Sequence, residues 1–246
     1  MNILKTLKIY LIYIVIWATF LATKNLFAIE IMSLVSIFIV FKYKHIKLKE
    51  IYSYKFPSKR NFIYSVLIAI LTIAVFPEIK ILVNYSKFQN IIHSINLSNV
   101  LNKFTIYNFC IAIIIAPLCE EIIFRGTLFG YLYNETKKDN PIILLILAFM
   151  SSFCFMIWHF SINRYDAFFI GICFCYMYVW TKSIWTTILA HAVYNFFTES
   201  CLIDYIIIKL AYFWGNNLKM VISISVVIKI IIILIILIDI RKHYVK

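Results

Sequence analysis

Long apolar runs constrain the fold of this chain more than any other feature of its sequence. About 20 consecutive apolar residues, folded as a helix, cover the hydrocarbon core of a bilayer. The runs that approach or exceed this length are 7–23, 25–41, 61–78, 105–131, 141–160, 165–181, 184–200 and 218–240. The sequence therefore predicts an all-α polytopic membrane protein, a bundle of about eight transmembrane helices.

The composition excludes an ordinary soluble enzyme. Of the 246 residues, 63% are hydrophobic and only 14% are charged, whereas about a quarter of the residues in soluble domains are charged. The six cysteines lie in or beside apolar runs and form no CxxC pair. Small core residues are therefore expected at these positions, and neither a disulfide framework nor a cofactor is implied.

The basic residues indicate a lipid surface and argue against nucleic acid as a partner. The net charge is +13, but the Lys and Arg residues concentrate at the ends of apolar runs, above all in 42–60 and after residue 240. With eight spans, every strongly basic loop falls on the same side of the bilayer. The positive-inside rule then predicts a multi-pass membrane protein with both termini in the cytoplasm. The abundance of Ile, Lys, Asn and Tyr is typical of an AT-rich bacterial genome and so indicates a bacterial cell membrane.

Three regions differ in the motifs that they contain. Residues 1–104 carry no motif, 105–200 carry the chemistry-bearing residues, and 201–246 form a last span with a basic tail. Within these regions, 79–103 and 201–217 are predicted to be connections outside the spans. Two intramembrane charges, Glu30 and Lys229, have no evident role, and Lys229 is expected to face the bundle or to snorkel.

The stretch "APLCEEIIFRG" places three charges inside an apolar run. On a helix, Glu121 and Arg125 share a face at a spacing of four residues and can form an ion pair. Glu120 points about 100° away and is not used by this ion pair, so it can act on another group. A salt bridge at the membrane edge is the alternative reading of this cluster.

Two further clusters place imidazole and amide groups in neighbouring spans. "SSFCFMIWHF" ends near His159, and "AHAVYNF" puts His191 and Asn195 on one helical face. An interfacial histidine and interhelical hydrogen bonds are the alternatives. Counted from the predicted inner boundary, Glu120, His159 and His191 differ in depth by about 13 Å. If helix tilt absorbs that difference, a carboxylate, two imidazoles and an amide share one pocket, a set suited to amide hydrolysis.

The motifs "APLCEEIIFRGTLFG", "SSFCFMIWHF" and "TKSIWTTILAHAVYNFF" resemble those of the CAAX protease and bacteriocin-processing (CPBP, or Abi) family of intramembrane glutamic endopeptidases. The family patterns EExxxR, FxxxH and HxxxN occur in this order on separate helices. The resemblance covers about residues 112–197. Met156 departs from the small residue that many bacterial members carry after the Phe.

This resemblance implies roles for individual residues. Glu120 and His159 would activate a water molecule, while His191 and Asn195 would stabilise the oxyanion. Glu121 and Arg125 would support the site, and Phe155 would pack beside it. No metal would be needed, the cavity would open to the cytoplasm, and the substrate would be a peptide or a membrane-anchored protein.

Other functional classes remain as alternatives. A non-catalytic bacteriocin self-immunity or scaffold protein would have lost catalytic residues, and here they are present. A transporter would also bury charges in the membrane, but the sequence has no internal repeat of the kind many transporters show. A zinc hydrolase would need ligands from three separate helices, and no HExxH motif is present.

Overall fold

The computed structural model describes five ranges of the chain together with four isolated residues. The ranges are 57–86, 110–135, 140–159, 165–199 and 213–244, and the isolated residues are Val35, Ile206, Lys209 and Leu210. Every regular element in these ranges is a helix. The all-α architecture predicted from the sequence is therefore confirmed.

Six helical elements are described, and we number them in chain order. They are α1 (Lys59–Val83), α2 (residues 111–135), α3 (Pro141–Trp158), α4 (Tyr165–Thr181), α5 (Ile184–Glu199) and α6 (Leu218–Tyr244), the last preceded by a 3₁₀ turn at Gly215–Asn217. Among the described residues, α1, α3 and α6 are long and apolar enough to cross a membrane, and α4 is a shorter apolar helix. This agrees with a polytopic membrane protein.

Where they fall in the described ranges, the predicted spans agree with the helices to within about four residues, except at the end of α1. Residues 105–109 of the span 105–131 lie outside the described ranges. The run 61–78 was expected to end at Glu78, but α1 continues to Val83. Pro77 does not stop the helix, and Ile81 packs in an apolar cluster with Leu218 and Ile222. That packing makes the helical continuation favourable, so the prediction of a connection is wrong over 79–83. The runs 7–23 and 25–41, and Glu30, lie outside the described residues, apart from the helical Val35.

The chain divides into two compact units. The first contains Ile114–Ile188, and the second contains Lys59–Ile113 and Leu189–Lys246. In the first unit, α3 packs against α4, and the later part of α2 contacts both. Asn140 caps the start of α3 by accepting hydrogen bonds from the backbone N–H groups of Ile142 and Ile143. Pro141 lies in the first turn of α3, where a backbone N–H would have no partner within the helix, so its missing N–H costs no hydrogen bond.

Helix α2 changes its winding three times along its length. It begins with π-helical geometry at Ile111–Ile115, is α-helical over Ala116–Glu121, and is again π-helical over Ile122–Tyr131 before the last turn, Leu132–Glu135. π-helical turns are rare and occur frequently at functional sites. The carbonyl of Phe124 accepts a hydrogen bond from Ser151 Oγ of α3 at 3.1 Å. The second π-helical stretch begins directly after the two adjacent glutamates.

In the second unit, α1 and α6 pack as an antiparallel pair. Lys229 of α6 extends to Glu78 of α1, with Nζ 2.5 Å from Oε1. Lys229 therefore faces the neighbouring helix, which is the first of the two alternatives that the sequence left open. The ion pair accounts for a lysine near the middle of an apolar helix.

Candidate active site

The adjacent carboxylates Glu120 and Glu121 end the α-helical part of α2 and are both buried. Glu120 is 5% exposed and Glu121 is fully buried. Successive helical residues point in directions about 100° apart, so the two carboxylates meet different neighbours. Each carboxylate therefore has its own partners.

Glu121 forms a buried ion pair with Arg125 one turn further along α2. The distance between Arg125 Nη1 and Glu121 Oε1 is 3.0 Å, and neither side chain has any exposed surface. The pairing predicted from the four-residue spacing is confirmed. Because a charge buried without its partner is strongly destabilising, the two side chains depend on each other.

Two aromatic rings contact the guanidinium group of Arg125. The guanidinium carbon lies 4.2 Å from the ring centroid of Phe155 on α3 and 5.2 Å from that of Phe174 on α4. These contacts are within the range of cation–π attraction, which is strongest in desolvated sites. Arg125 thus joins α2, α3 and α4. Phe174 was not identified from the sequence, because nothing distinguishes it within the aromatic run of α4.

His159 follows the last residue of α3 and lies opposite Glu120. Its Nδ1 atom is 2.8 Å from the carbonyl oxygen of Phe155, one turn earlier. A carbonyl oxygen only accepts hydrogen bonds, so Nδ1 carries a proton and donates it. The ring also meets the Phe155 ring edge-to-face, with centroids 4.6 Å apart. The backbone and side chain of Phe155 together fix the orientation of the imidazole.

The second ring nitrogen of His159 faces the carboxylate of Glu120. Nε2 lies 3.7 Å from Oε2 of Glu120, beyond the usual length of a direct hydrogen bond. Two atoms at that separation can both contact one water molecule, each at about 2.8 Å. With Nδ1 protonated, the neutral ring presents Nε2 as an acceptor. A water held here would meet two acceptors, a carboxylate oxygen and an imidazole nitrogen.

His191 and Asn195 lie on α5, at positions that belong to the second unit. His191 is 2% exposed, and the Nδ2 atom of Asn195 donates a hydrogen bond to the carbonyl oxygen of Ala112 at 2.8 Å. This bond ties α5 to the first turn of α2 and uses one of the two amide hydrogens. Glu120 and His159 belong to the first unit, so a pocket shared by all four residues stays a prediction.

A metal site in a protein needs several ligand side chains close together. Among the residues that the structure describes, no three His, Cys, Asp or Glu side chains lie together in a way that could hold a metal ion. Of the side chains of these types, the carboxylate of Glu120 and the imidazole of His159 face each other.

Comparison with known proteins identifies the segment that contains this site. Residues 102–197 match the family model described as type II CAAX prenyl endopeptidase Rce1-like. Residues 102–197, which are similar to this family, are called the Rce1-like domain. The resemblance to CAAX proteases inferred from the three motifs is therefore confirmed, and the Rce1-like domain includes every residue singled out above as a candidate for catalysis or support.

Two curated bacterial proteins are similar to the Rce1-like domain. The membrane-embedded CAAX protease MroQ of Staphylococcus aureus (strain USA300) is 33% identical over 99 residues, which is 40% of each chain. The putative membrane peptidase YdiL of Bacillus subtilis (strain 168) is 37% identical over 87 residues, 34% of this chain and 32% of that protein. The match thus spans less than half the length of these relatives. No solved structure is significantly similar to the chain.

Proposed function

We propose that this protein is an intramembrane glutamic endopeptidase that hydrolyses a peptide bond with a water molecule activated by Glu120 and His159. The observation that carries the proposal is the position of His159. Its Nδ1–H is bonded to the carbonyl of Phe155, and its Nε2 faces the Glu120 carboxylate at 3.7 Å. The Rce1-like domain and the similarity to proteins named as membrane peptidases support the same assignment.

The proposed reaction begins with the water between the two acceptors. The Glu120 carboxylate takes one proton from the water, while the other hydrogen of the water donates a hydrogen bond to Nε2 of His159. The water oxygen forms a bond to the carbonyl carbon of the substrate. The C–N bond then breaks, and the protonated Glu120 returns the proton to the departing amine. No metal ion is required for these steps.

His191 and Asn195 are proposed to stabilise the oxyanion formed in the tetrahedral intermediate. A buried imidazole N–H and the second hydrogen on Nδ2 of Asn195 are donors of the kind that lower the energy of a developing negative charge. The bond from Asn195 to Ala112 would hold the amide in position without using both hydrogens. This role requires α5 to approach Glu120, which is part of the proposal.

The substrate is proposed to be a peptide or membrane-anchored protein cleaved near the cytoplasmic face. One relative is named as a membrane-embedded CAAX protease, and a CAAX motif is a C-terminal sequence whose Cys can carry a prenyl anchor. For a bacterial protein, a signalling peptide, a bacteriocin or its leader are the expected types. The termini of the chain would lie in the cytoplasm, as the distribution of basic loops predicts.

The test compares new peptide termini in membranes that contain the wild type or Glu120→Gln, each with and without a chelator. Glu120→Gln is nearly isosteric and removes the base while leaving the fold. Glu135→Gln, at the last residue of α2, is the matched carboxylate-to-amide control. Termini that persist with chelator and in the control but disappear in Glu120→Gln are expected. Equal termini in both proteins at equal abundance would reject the assignment and favour the immunity or scaffold alternative.

A further inference from the structure

Outside the Rce1-like domain, two sets of polar contacts join α1 to α6. In the first, both Lys229 Nζ and Ser225 Oγ donate to Oε1 of Glu78, at 2.5 and 3.1 Å. In the second, Arg60 and Tyr64 of α1 both donate to Oδ2 of Asp239. Both helices are otherwise strongly apolar. Four donors thus converge on two carboxylates, one on each helix.

The two contact sets have the same spacing on both helices. Tyr64 and Glu78 are 14 positions apart on α1, and Ser225 and Asp239 are 14 positions apart on α6. At about 1.5 Å per residue this corresponds to about 21 Å on each helix. One antiparallel register therefore satisfies both sets without bending either helix. Ile81 and Ile222 fall opposite each other in the same register and lie in one apolar cluster.

Apolar contacts alone do not specify one register of α6 against α1. Its sequence over 226–238 is "VVIKIIIILIILI", so a shift by one helical turn places Ile, Val or Leu against similar groups. Within a bilayer there is no hydrophobic driving force between helices, and association depends on packing and interhelical polar contacts. A shift by one turn would separate Lys229 from Glu78. The polar contacts therefore distinguish registers that the apolar side chains do not.

Because burying an unpaired charge is costly, the contact at Glu78 favours the register in which Lys229 pairs with it. The Glu78 side chain is 8% exposed and that of Lys229 is 22% exposed. A charge at this depth is costly unless it is paired. The direction of charge is also reversed between the two sets, because the acidic residue is on α1 in one and on α6 in the other. A parallel arrangement or a shifted one would leave at least one of these charges without its partner.

We propose that Glu78, Ser225 and Lys229, together with Arg60, Tyr64 and Asp239, form a two-point polar clamp that sets the antiparallel register of α1 and α6. Each carboxylate accepts hydrogen bonds from two donors on the opposite helix. Polar residues at buried helix contacts have this role in coiled coils, where they specify register at a cost in stability. The clamp is independent of the proposed peptidase reaction.

A charge exchange tests the pairing at Glu78. The single variants Glu78→Lys and Lys229→Glu place like charges together, and severalfold less full-length protein is expected in the membrane. The double variant restores opposite charges and is expected to return to within about twofold of the wild-type abundance. Lys80→Glu, which changes an exposed lysine on the same helix, is the control and should leave the abundance unchanged.

Disulfide cross-linking tests the register itself and does not depend on the success of the charge exchange. Ile81→Cys with Ile222→Cys should form a disulfide in the otherwise wild-type protein, identified by mass spectrometry of the linked peptides. Glu78→Met, Lys229→Met and Asp239→Leu together remove both acceptors of the clamp without leaving an unpaired acidic group. A severalfold lower yield of the 81–222 disulfide is expected in that background. An unchanged yield would overturn the proposal.

Discussion

Nε2 of His159 lies 3.7 Å from Oε2 of Glu120, while Nδ1 of the same ring donates to the carbonyl oxygen of Phe155 at 2.8 Å. The backbone of α3 thereby decides which nitrogen of the ring is presented to the carboxylate. Phe155 in turn packs on Arg125, and Arg125 is paired with Glu121, the residue next to Glu120. Both members of the candidate catalytic pair are therefore held by one connected set of contacts.

Two amide substitutions separate the roles of the two ring nitrogens of His159. His159→Asn can still donate to the Phe155 carbonyl but has no group at the position of Nε2. His159→Gln can approach Glu120 but loses the bond to Phe155. Loss of an acid–base group costs about 10²–10⁴ in rate, so the formation of new peptide termini should fall by this order in both variants. His159→Asn should retain more protein in the membrane than His159→Gln.

This result depends on abundance and activity being measured on the same membranes. The quantity to compare is the number of new termini per molecule of full-length protein. Wild-type activity in His159→Asn would contradict a role for Nε2.

Removal of Arg125 should destabilise the protein because it leaves Glu121 buried without its partner. Breaking a buried pair from one side costs about 3–5 kcal/mol, so Arg125→Ala should be much less abundant on a membrane blot. Replacing both residues, by Glu121→Met with Arg125→Met, removes the unpaired charge and should recover much of the abundance. Arg241→Ala changes an exposed arginine and should be neutral. Normal abundance of Arg125→Ala would contradict the importance of the pair.

Phe174 is expected to stabilise the protein through Arg125. Phe174→Leu removes one of the two aromatic faces on the guanidinium and should lower the free energy of unfolding by roughly 2 kcal/mol. The exposed Phe169 on the same helix provides the control variant Phe169→Leu, whose effect should be small. Thermal unfolding in detergent measures both.

A double-mutant cycle identifies the origin of the effect at Phe174. If the ring acts on the guanidinium, Phe174→Leu should lower the free energy of unfolding by about 1 kcal/mol less in an Arg125→Met background than in the wild type. Equal costs in both backgrounds would assign the loss to packing alone.

The turn between α4 and α5 should be stabilised by glycine at position 182. Lys182 has a φ of +50°, a conformation that costs a residue with a Cβ atom about 1 kcal/mol. Its N–H donates to the carbonyl of Tyr178 at 2.9 Å, which is typical of a helix C-terminus that favours glycine. Lys182→Gly should therefore raise the unfolding temperature relative to Lys182→Ala, which keeps the strain. A lower unfolding temperature for the glycine variant would show that the strain is not relieved.

Periodicity and spacing in the sequence determined much of this protein. Runs of apolar residues predicted helices at 141–160, 165–181, 184–200 and 218–240, and the described helices lie within about four residues of these bounds. The spacing of Glu121 and Arg125 predicted their ion pair, because residues four apart share one face of a helix. The order of the three motifs indicated the resemblance to CAAX proteases.

Only the tertiary structure decided which residues from different helices meet. Phe174 on Arg125, Lys229 on Glu78 and Asp239 on Arg60 join positions that are far apart in the sequence. Local spacing has no information about such contacts, since they depend on how helices cross and in which register. The continuation of α1 beyond Glu78 has the same origin, because packing against α6 outweighs the local signal of Pro77 and a charged residue. The sequence specified the helices and their chemistry, and packing decided their partners.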